Sequence, residues 1–320
     1  MSDLILSFLE QRRVMVLDGA LATELERRGA DLRDPLWSAK CLIERPELIR
    51  EVHRDYLRAG ADVATTATYQ ATFEAFAQRG IDRRGAARLM GDAVRLAVAA
   101  RDEFWADETN RFARLRPLVA ASVGPYGAML ADGSEYRGRY ALDDQALAQF
   151  HRPRLQVLAS AGADLLACET FPCLREARAV ARALQEFPNA RAWISFSCQD
   201  GEHNCEGEDI AECAQGLQAY PQIVAVGVNC TPPRYVASLL RRMREQTDKP
   251  LVAYPNSGER YHPSSKIWTN PLAGAPFGEP FGEHSRRWFA EGARLIGGCC
   301  RTGPEDIRSI RQCLTTELAA

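Results

Sequence analysis

The sequence predicts an α/β protein, a (β/α)8 barrel of the TIM type, with residues 1–320 forming one domain. Three observations carry this. Short apolar runs recur eight times along the chain. Several are nearly continuous rather than alternating, as strands read when both faces of a parallel sheet are buried. The stretches between them place apolar residues three and four apart, as helices do. The 320 residues fit a barrel of about 250 residues with insertions, and no low-complexity linker divides the chain.

The elements follow in order. "MSDLILSFLEQRR" lacks the basic start and small-residue cleavage site of a leader peptide, so it is read as a first amphipathic helix. The expected strands are "VMVLDGA" from Val14, "ADVATTATY" from Ala61, "PLVAASVGPYG" from Pro117 and "ADLLACETF" from Ala163. The second half supplies "RAWISFSCQ" from Arg191, "QIVAVGVNC" from Gln222, "PLVAYPNSG" from Pro250 and "ARLIGGCC" from Ala293. Helices are expected at "RPELIREVHRDYLRAG", "DDQALAQFHRPRLQVLASAG", "LREARAVARALQEF" and "PPRYVASLLRRMREQT". Pro153 should kink or break the second of these. Gly60 and Gly162 each sit two residues before an Asp and read as helix C-cap glycines. In "TGPE", Thr302 is the expected cap of a last helix, Glu305 its capping-box partner and Pro304 its first-turn residue.

Bulk properties exclude several functions. A net charge of -2 offers no surface for nucleic acid or an anionic membrane. No apolar run approaches the roughly 18 residues that span a bilayer. The ten cysteines are dispersed and follow no export signal, so reduced thiols in a cytoplasmic protein are expected. A barrel places its chemistry at the C-terminal ends of its strands. Read in order, those ends carry Asp18-Gly19, Thr65 to Tyr69, Gly124-Pro125-Tyr126, Glu169-Thr170, Ser197-Cys198, Asn229-Cys230, Asn256-Ser257 and Cys299-Cys300. Cys230, Cys299 and Cys300 fall on strands six and eight, whose ends converge in a barrel. Three soft thiolates suit Zn²⁺, and three protein ligands leave one position open, the pattern of a catalytic site. The preceding Gly297 and Gly298 are expected to let the backbone turn so that both cysteines face one centre. Other readings remain open at this point: the pair as ordinary small apolar residues, a barrel acting on a phosphorylated substrate at the Thr302 helix start, and a non-enzymatic zinc-binding or redox-sensing barrel.

"LDGALATELERRG", "TTATYQATFEAF", "ACETFPCLREARA", "VGVNC", "YPNSGE" and "IGGCCRTGPEDI" together resemble the zinc-dependent homocysteine S-methyltransferases, from about Leu17 to Ile307. "TTATYQAT", "DGSEYRGRY" and "YPNSGE" are most similar to the branch that takes its methyl from S-methylmethionine or S-adenosylmethionine. The chain ends shortly after the Cys pair, without the long oligomerisation extension of the betaine-using branch, so a monomer or small homo-oligomer is expected.

The resemblance implies that zinc on Cys230, Cys299 and Cys300 activates the thiol of homocysteine, which takes a methyl from a sulfonium donor and becomes methionine. A neutral thioether leaves, so no general acid is required, and none of the five histidines is assigned. Betaine as donor and a selenol as acceptor stay open as alternatives. Asp18 and Glu169 are the candidates for the substrate ammonium, and the Gly19-Ala20 turn for its carboxylate. Tyr69, Tyr126, Tyr136 and Trp268 are aromatic candidates for the sulfonium. Glu135 and Asn256-Ser257 are candidates for the donor's amino-acid end, and Asn229 is a further substrate candidate. The loops "DGSEYRGRY" and "NSGERYHPSSKIWTNPLAGAPFGEP" are expected to form a lid.

Overall fold

The structure, a computed structural model, describes residues 4–32, 34, 36–262, 267–269 and 280–319. Eight parallel strands form one sheet, at Met15–Val16, Val63–Thr65, Leu118–Val123, Leu165–Phe171, Ala192–Phe196, Ile223–Asn229, Leu251–Tyr254 and Ala293–Ile296. They correspond to the eight expected runs, trimmed because the polar ends have left the ladder and become loops. From the second strand to the eighth, neighbours in sequence are neighbours in the sheet, and the last strand pairs with the first.

The ladder runs unbroken from the first strand round to the second, and one residue bridges the remaining gap. Asp62 donates its backbone N–H to Val16 O at 2.6 Å, and its carboxylate accepts from Val16 N at 2.9 Å. The carboxylate also ion-pairs with Arg311 and lies 3.5 Å from Arg114. Asp164 repeats the device between strands three and four, bonding Val119 in both directions at 2.9 and 2.7 Å. Each Asp follows a glycine with positive φ, Gly60 at 116° and Gly162 at 96°. Gly60 caps its helix as expected; the helix before Gly162 is capped two residues earlier, at Ser160.

The barrel interior is layered. Met15, Leu17, Val63, Ala120, Leu165, Ala167, Trp193, Ala225, Val252 and Leu295 form an apolar lower plug, packed against Ile5 and Phe8 of the N-terminal helix Leu4–Arg12. A larger apolar layer fills the space between strands and outer helices. Gly227 has no alternative: a Cβ there would lie 1.9 Å from Val252 O across the ladder.

Two local expectations are corrected. The helix Asp144–Ala159 runs through Pro153 without a break. Buried Leu147, His151, Arg154, Leu155 and Leu158 hold it on both sides, and that packing outweighs one lost backbone hydrogen bond. In the last helix, Pro304–Ala319, the capping carboxylate is Asp306, which accepts from Gly303 N at 2.8 Å. Glu305 points outward to Arg308, and the Thr302 hydroxyl donates back to Cys299 O at 2.6 Å.

The closing role of Asp62 gives a stability prediction. Asp62→Ala strips a buried N–H and two guanidinium groups of their partner and should cost about 2–4 kcal/mol. Urea unfolding checks this; a loss below about 0.5 kcal/mol would show that the barrel closes without it.

Candidate active site

Inward-facing positions change character towards the C-terminal ends of the strands. One step above the apolar plug, the same alternation presents Thr65, Ser122, Glu169, Ser195, Asn229 and Tyr254. Above this polar layer opens a cavity walled by Asp18, Gly19, Trp37, Thr65, Tyr69, Gln70, Glu135, Tyr136, Glu169 and Tyr254, with Cys230, Cys299 and Cys300 on the same wall. Glu26 and Asp34 also reach it. Among the described residues, its lining contains acids, hydroxyls, aromatics and thiols but no Lys, Arg or His.

The three sulfurs lie within 4.8 Å of one another. Cys230 Sγ and Cys300 Sγ are 3.4 Å apart, and the Tyr136 hydroxyl lies 3.1 Å from Cys230 Sγ. Hydrogen bonds from Cys299, Cys300 and Tyr136 hold Cys230 well below the usual thiol range. Cys299 and Cys300, which serve it as donors, are pushed up. Ligands about 2.3 Å from a tetrahedral zinc stand about 3.8 Å apart, so the cluster fits such an ion.

The glycines before the cysteine pair act through space rather than through backbone handedness. Neither Gly297 nor Gly298 takes a positive φ. A Cβ on Gly297 would meet Leu17 Cβ at 2.6 Å, and one on Gly298 would meet Thr302 Oγ1 at 2.3 Å. Left-handed backbone occurs instead at Trp37 (φ 46°), Thr170 (65°), Cys230 (49°) and Arg301 (69°), all on or beside the cavity. Such conformations are costly for side chains of this size and persist where surroundings enforce them. The enforcing groups are visible. Asn229 Oδ1 accepts from Thr170 N at 2.7 Å, and its Nδ2 donates to Thr170 Oγ1 at 2.8 Å. Arg301 N donates to Thr23 Oγ1 at 3.1 Å, and its Nε donates to Glu259 at 2.6 Å.

Two acids sit beside the thiols. Asp18 accepts from Thr65 N at 2.7 Å and Thr65 Oγ1 at 2.8 Å, yet burial pushes its pKa up to about 7. Glu169 accepts from Ser122 Oγ; burial and the neighbouring Cys299 raise it to about 8. Glu135, on the third-strand loop, is raised to about 7, again by burial. Buried carboxyls shift this way when no cation offsets their desolvation.

Most of the expected site residues share this cavity: Asp18, Gly19, Tyr69, Glu135, Tyr136, Glu169 and the three cysteines. Asn229 and Ser257 stand behind the wall. Asn229 is fully buried, bonded to Thr170 and Ser195. Ser257 donates its N–H to Cys300 O at 3.0 Å. The Tyr126 ring packs edge-on against Tyr140 and Phe150, away from the lining. The Trp268 side chain and most of the expected seventh-strand lid lie outside the described residues. Sequence reading missed Trp37, whose ring meets Tyr69 at 6.0 Å, and Gln70, Ser122 and Tyr254. Gln70 directly follows Tyr69 in "TTATYQAT", a position from which it could have been found. It also missed a buried bracket behind the wall. Arg154 donates to Gly124 O and to His151 Nδ1, while Glu176 takes His151 Nε2 and Tyr126 N. The bracket fixes the turn whose Gly124 N donates to Tyr69 O.

A barrel with thiols at its catalytic face defines a class of enzyme, and comparison with known proteins specifies it. Residues 15–314 match the family model for homocysteine S-methyltransferase. Homocysteine S-methyltransferase YbgG of Bacillus subtilis is 55% identical over 302 residues, 94% of this chain and 95% of that protein. A selenocysteine Se-methyltransferase of Brassica oleracea is 46% identical over 309 residues, covering 94% of this chain and 89% of that one. The crystal structure of the homocysteine methyltransferase MmuM from Escherichia coli, in its metallated form, superimposes with a TM-score of 0.85 at 47% identity. It covers 96% of this chain and 98% of that chain. The chain belongs to the homocysteine S-methyltransferase family and is an enzyme of that class, which sets aside the non-enzymatic reading.

The raised acids give a pH prediction for the metal-free protein. Glu169 goes from 4.5 to about 8 on folding and Asp18 from 3.8 to about 7. The native state therefore holds more protons than the unfolded state between those values, and stability falls as pH rises from about 4 to 8. Glu169→Gln should remove roughly a few kcal/mol of that decline. Urea midpoints at pH 5 and 8.5 test this; an equal decline in both proteins would refute it.

Proposed function

We propose that the enzyme transfers a methyl group from a sulfonium donor, S-methylmethionine first, to homocysteine, with zinc held by Cys230, Cys299 and Cys300. The observation that carries this is the cavity's composition: three clustered thiols, raised acids and aromatics on its walls, and no basic side chain among its described lining residues. The metallated form of the similar Escherichia coli enzyme supports a metal at such a site. When bound, zinc supplies the positive charge that turns a thiol into a thiolate near neutral pH.

The chain's own groups supply the rest. Asp18 and Glu169 receive the homocysteine ammonium, which relieves the cost of ionising two neighbouring buried acids. The backbone at Gly19-Ala20 is placed for the substrate carboxylate. Tyr136 donates to Cys230 and holds its charge in place. Trp37, Tyr69 and Tyr136 offer aromatic faces to a sulfonium. The homocysteine thiolate attacks the donor methyl carbon; the sulfonium S–C bond breaks, and its electron pair stays on the departing sulfur. Both products are neutral thioethers at sulfur, no proton moves, and the cavity needs no acid catalyst. S-Methylmethionine yields two methionines, one from each partner. A selenol acceptor is the second reading, favoured by the similar Brassica oleracea enzyme.

Two expected outcomes test the proposal. Single Cys→Ser variants at 230, 299 and 300 should each lose most of their zinc by metal analysis, while Cys168→Ser and Cys313→Ser keep it. Full retention in all three site variants would remove the assignment. With homocysteine and each donor at equal concentration, methionine should form fastest from S-methylmethionine; a betaine rate equal or greater would overturn the donor.

A further inference from the structure

The three thiols belong to two loops, and one short segment holds both. From the last residue of the seventh strand onward, Tyr254 to Ser257 bond to the two loops in alternation. Cys230 N donates to Tyr254 O at 3.2 Å, and Cys299 N to Pro255 O at 2.7 Å. Asn256 N donates to Thr231 O, beside Cys230, at 3.3 Å, and Ser257 N to Cys300 O at 3.0 Å. The segment then turns back. Gly258 takes φ 94°; Asn256 Oδ1 accepts from Gly258 N at 3.0 Å and Ser257 Oγ from Glu259 N at 3.4 Å. The turn brings the Glu259 carboxylate to Arg301, the residue after Cys300, whose Nε donates to it at 2.6 Å.

Arg301 has φ 69°, a conformation that a residue with a Cβ keeps only where its surroundings hold it. Two groups do so: Thr23 Oγ1 takes its N–H at 3.1 Å, and Glu259 takes its guanidinium. The ion pair is half-buried, with the Glu259 side chain 16% and that of Arg301 35% exposed. Neither residue lines the cavity. Loss of the pair frees Arg301 to relax, and the relaxation moves Cys300, one peptide bond away.

We propose that Glu259 and Arg301 are positioning residues for the metal: their ion pair clasps the seventh-strand segment to the Cys299-Cys300 loop and sets Cys300 for zinc. This rests on the zinc reading above and adds to it what holds the ligands in place. Position and charge make opposite predictions here. A pair acting through charge alone would bind zinc more weakly without Glu259 and more tightly without Arg301. A clasp weakens zinc when either half is removed.

The test is zinc affinity, read by competition with a chromophoric chelator, alongside the urea midpoint of the metal-free protein. Groups that orient metal ligands are worth about 10- to 100-fold in affinity. Glu259→Gln and Arg301→Gln should each weaken zinc about tenfold or more. The double variant should be no more than about twofold worse than the weaker single one, because the two residues act as one unit. Arg301→Lys, which keeps the charge, should stay within about threefold of native. A partly exposed pair adds little to global stability, so the metal-free variants should unfold at the native midpoint. As a control, Glu291→Gln breaks the outer Arg241–Glu291 pair, also 2.6 Å long, and should leave zinc unchanged. Unchanged zinc in both single variants, tighter zinc in Arg301→Gln, or zinc lost in step with a falling urea midpoint would each overturn the clasp. Cys300→Ser is titrated in parallel. Native affinity in that variant would overturn the zinc reading and the clasp together; its loss beside native affinity in the pair variants would overturn the clasp alone.

Discussion

Burial of negative charge without a compensating side-chain cation is the constraint on which the site depends. Asp18, Glu135 and Glu169 carry raised pKa values, chiefly because water has been excluded from them. The usual remedy, an Arg or Lys within reach, is missing from the described lining. The surface does not lack basic groups: Arg301 stands just behind Cys300, but it is turned onto Glu259. The cavity is thus held in a state that a metal ion and a cationic substrate relieve. Stability is given up in the free enzyme so that binding energy is gained where it is used.

The scaffold around the cavity resists the relaxation this state invites. Thr170 and Cys230 are held with positive φ, and Asn229 sits between them, bonded to Thr170 and within 3.9 Å of Cys299 Sγ. Trp193 Nε1 and Ser195 Oγ both meet the Tyr254 hydroxyl, tying the polar layer to the plug beneath it. The Arg154–His151–Glu176 bracket fixes the turn behind Tyr69 from outside the barrel. Rigid support at this level is what a site on loops needs to keep its groups within a fraction of an ångström.

Much of this was legible in the sequence because barrels write their chemistry at strand ends. The eight apolar runs, the placement of Cys230 beside Asn229 and the Cys299-Cys300 pair all followed from period and position. What escaped was set by contacts between distant segments. Nothing local marks Trp37 as a wall residue; it reaches the cavity because the segment after the helix Leu21–Arg27 brings Leu32, Asp34 and Trp37 to the lining. Asn229 and Ser257 occupy the expected strand ends, but their side chains or N–H groups are used to hold neighbours. Gly297 and Gly298 were legible as necessary and misread as to cause, since the crowding by Leu17 and Thr302 comes from other elements. Pro153 and Glu305 show the same limit: a local rule names a propensity, and packing or a better-placed acid decides the outcome.

The central claim is that this cavity recognises positive charge on its ligand. It is tested most directly by comparing S-methylmethionine with 2-amino-5-methylhexanoic acid, which replaces the sulfonium by an uncharged carbon of the same shape. Calorimetry on the native enzyme should show the neutral isostere binding at least about tenfold more weakly, the worth of a desolvated cation against aromatic faces and buried acids. Equal or tighter binding of the neutral compound would contradict the account.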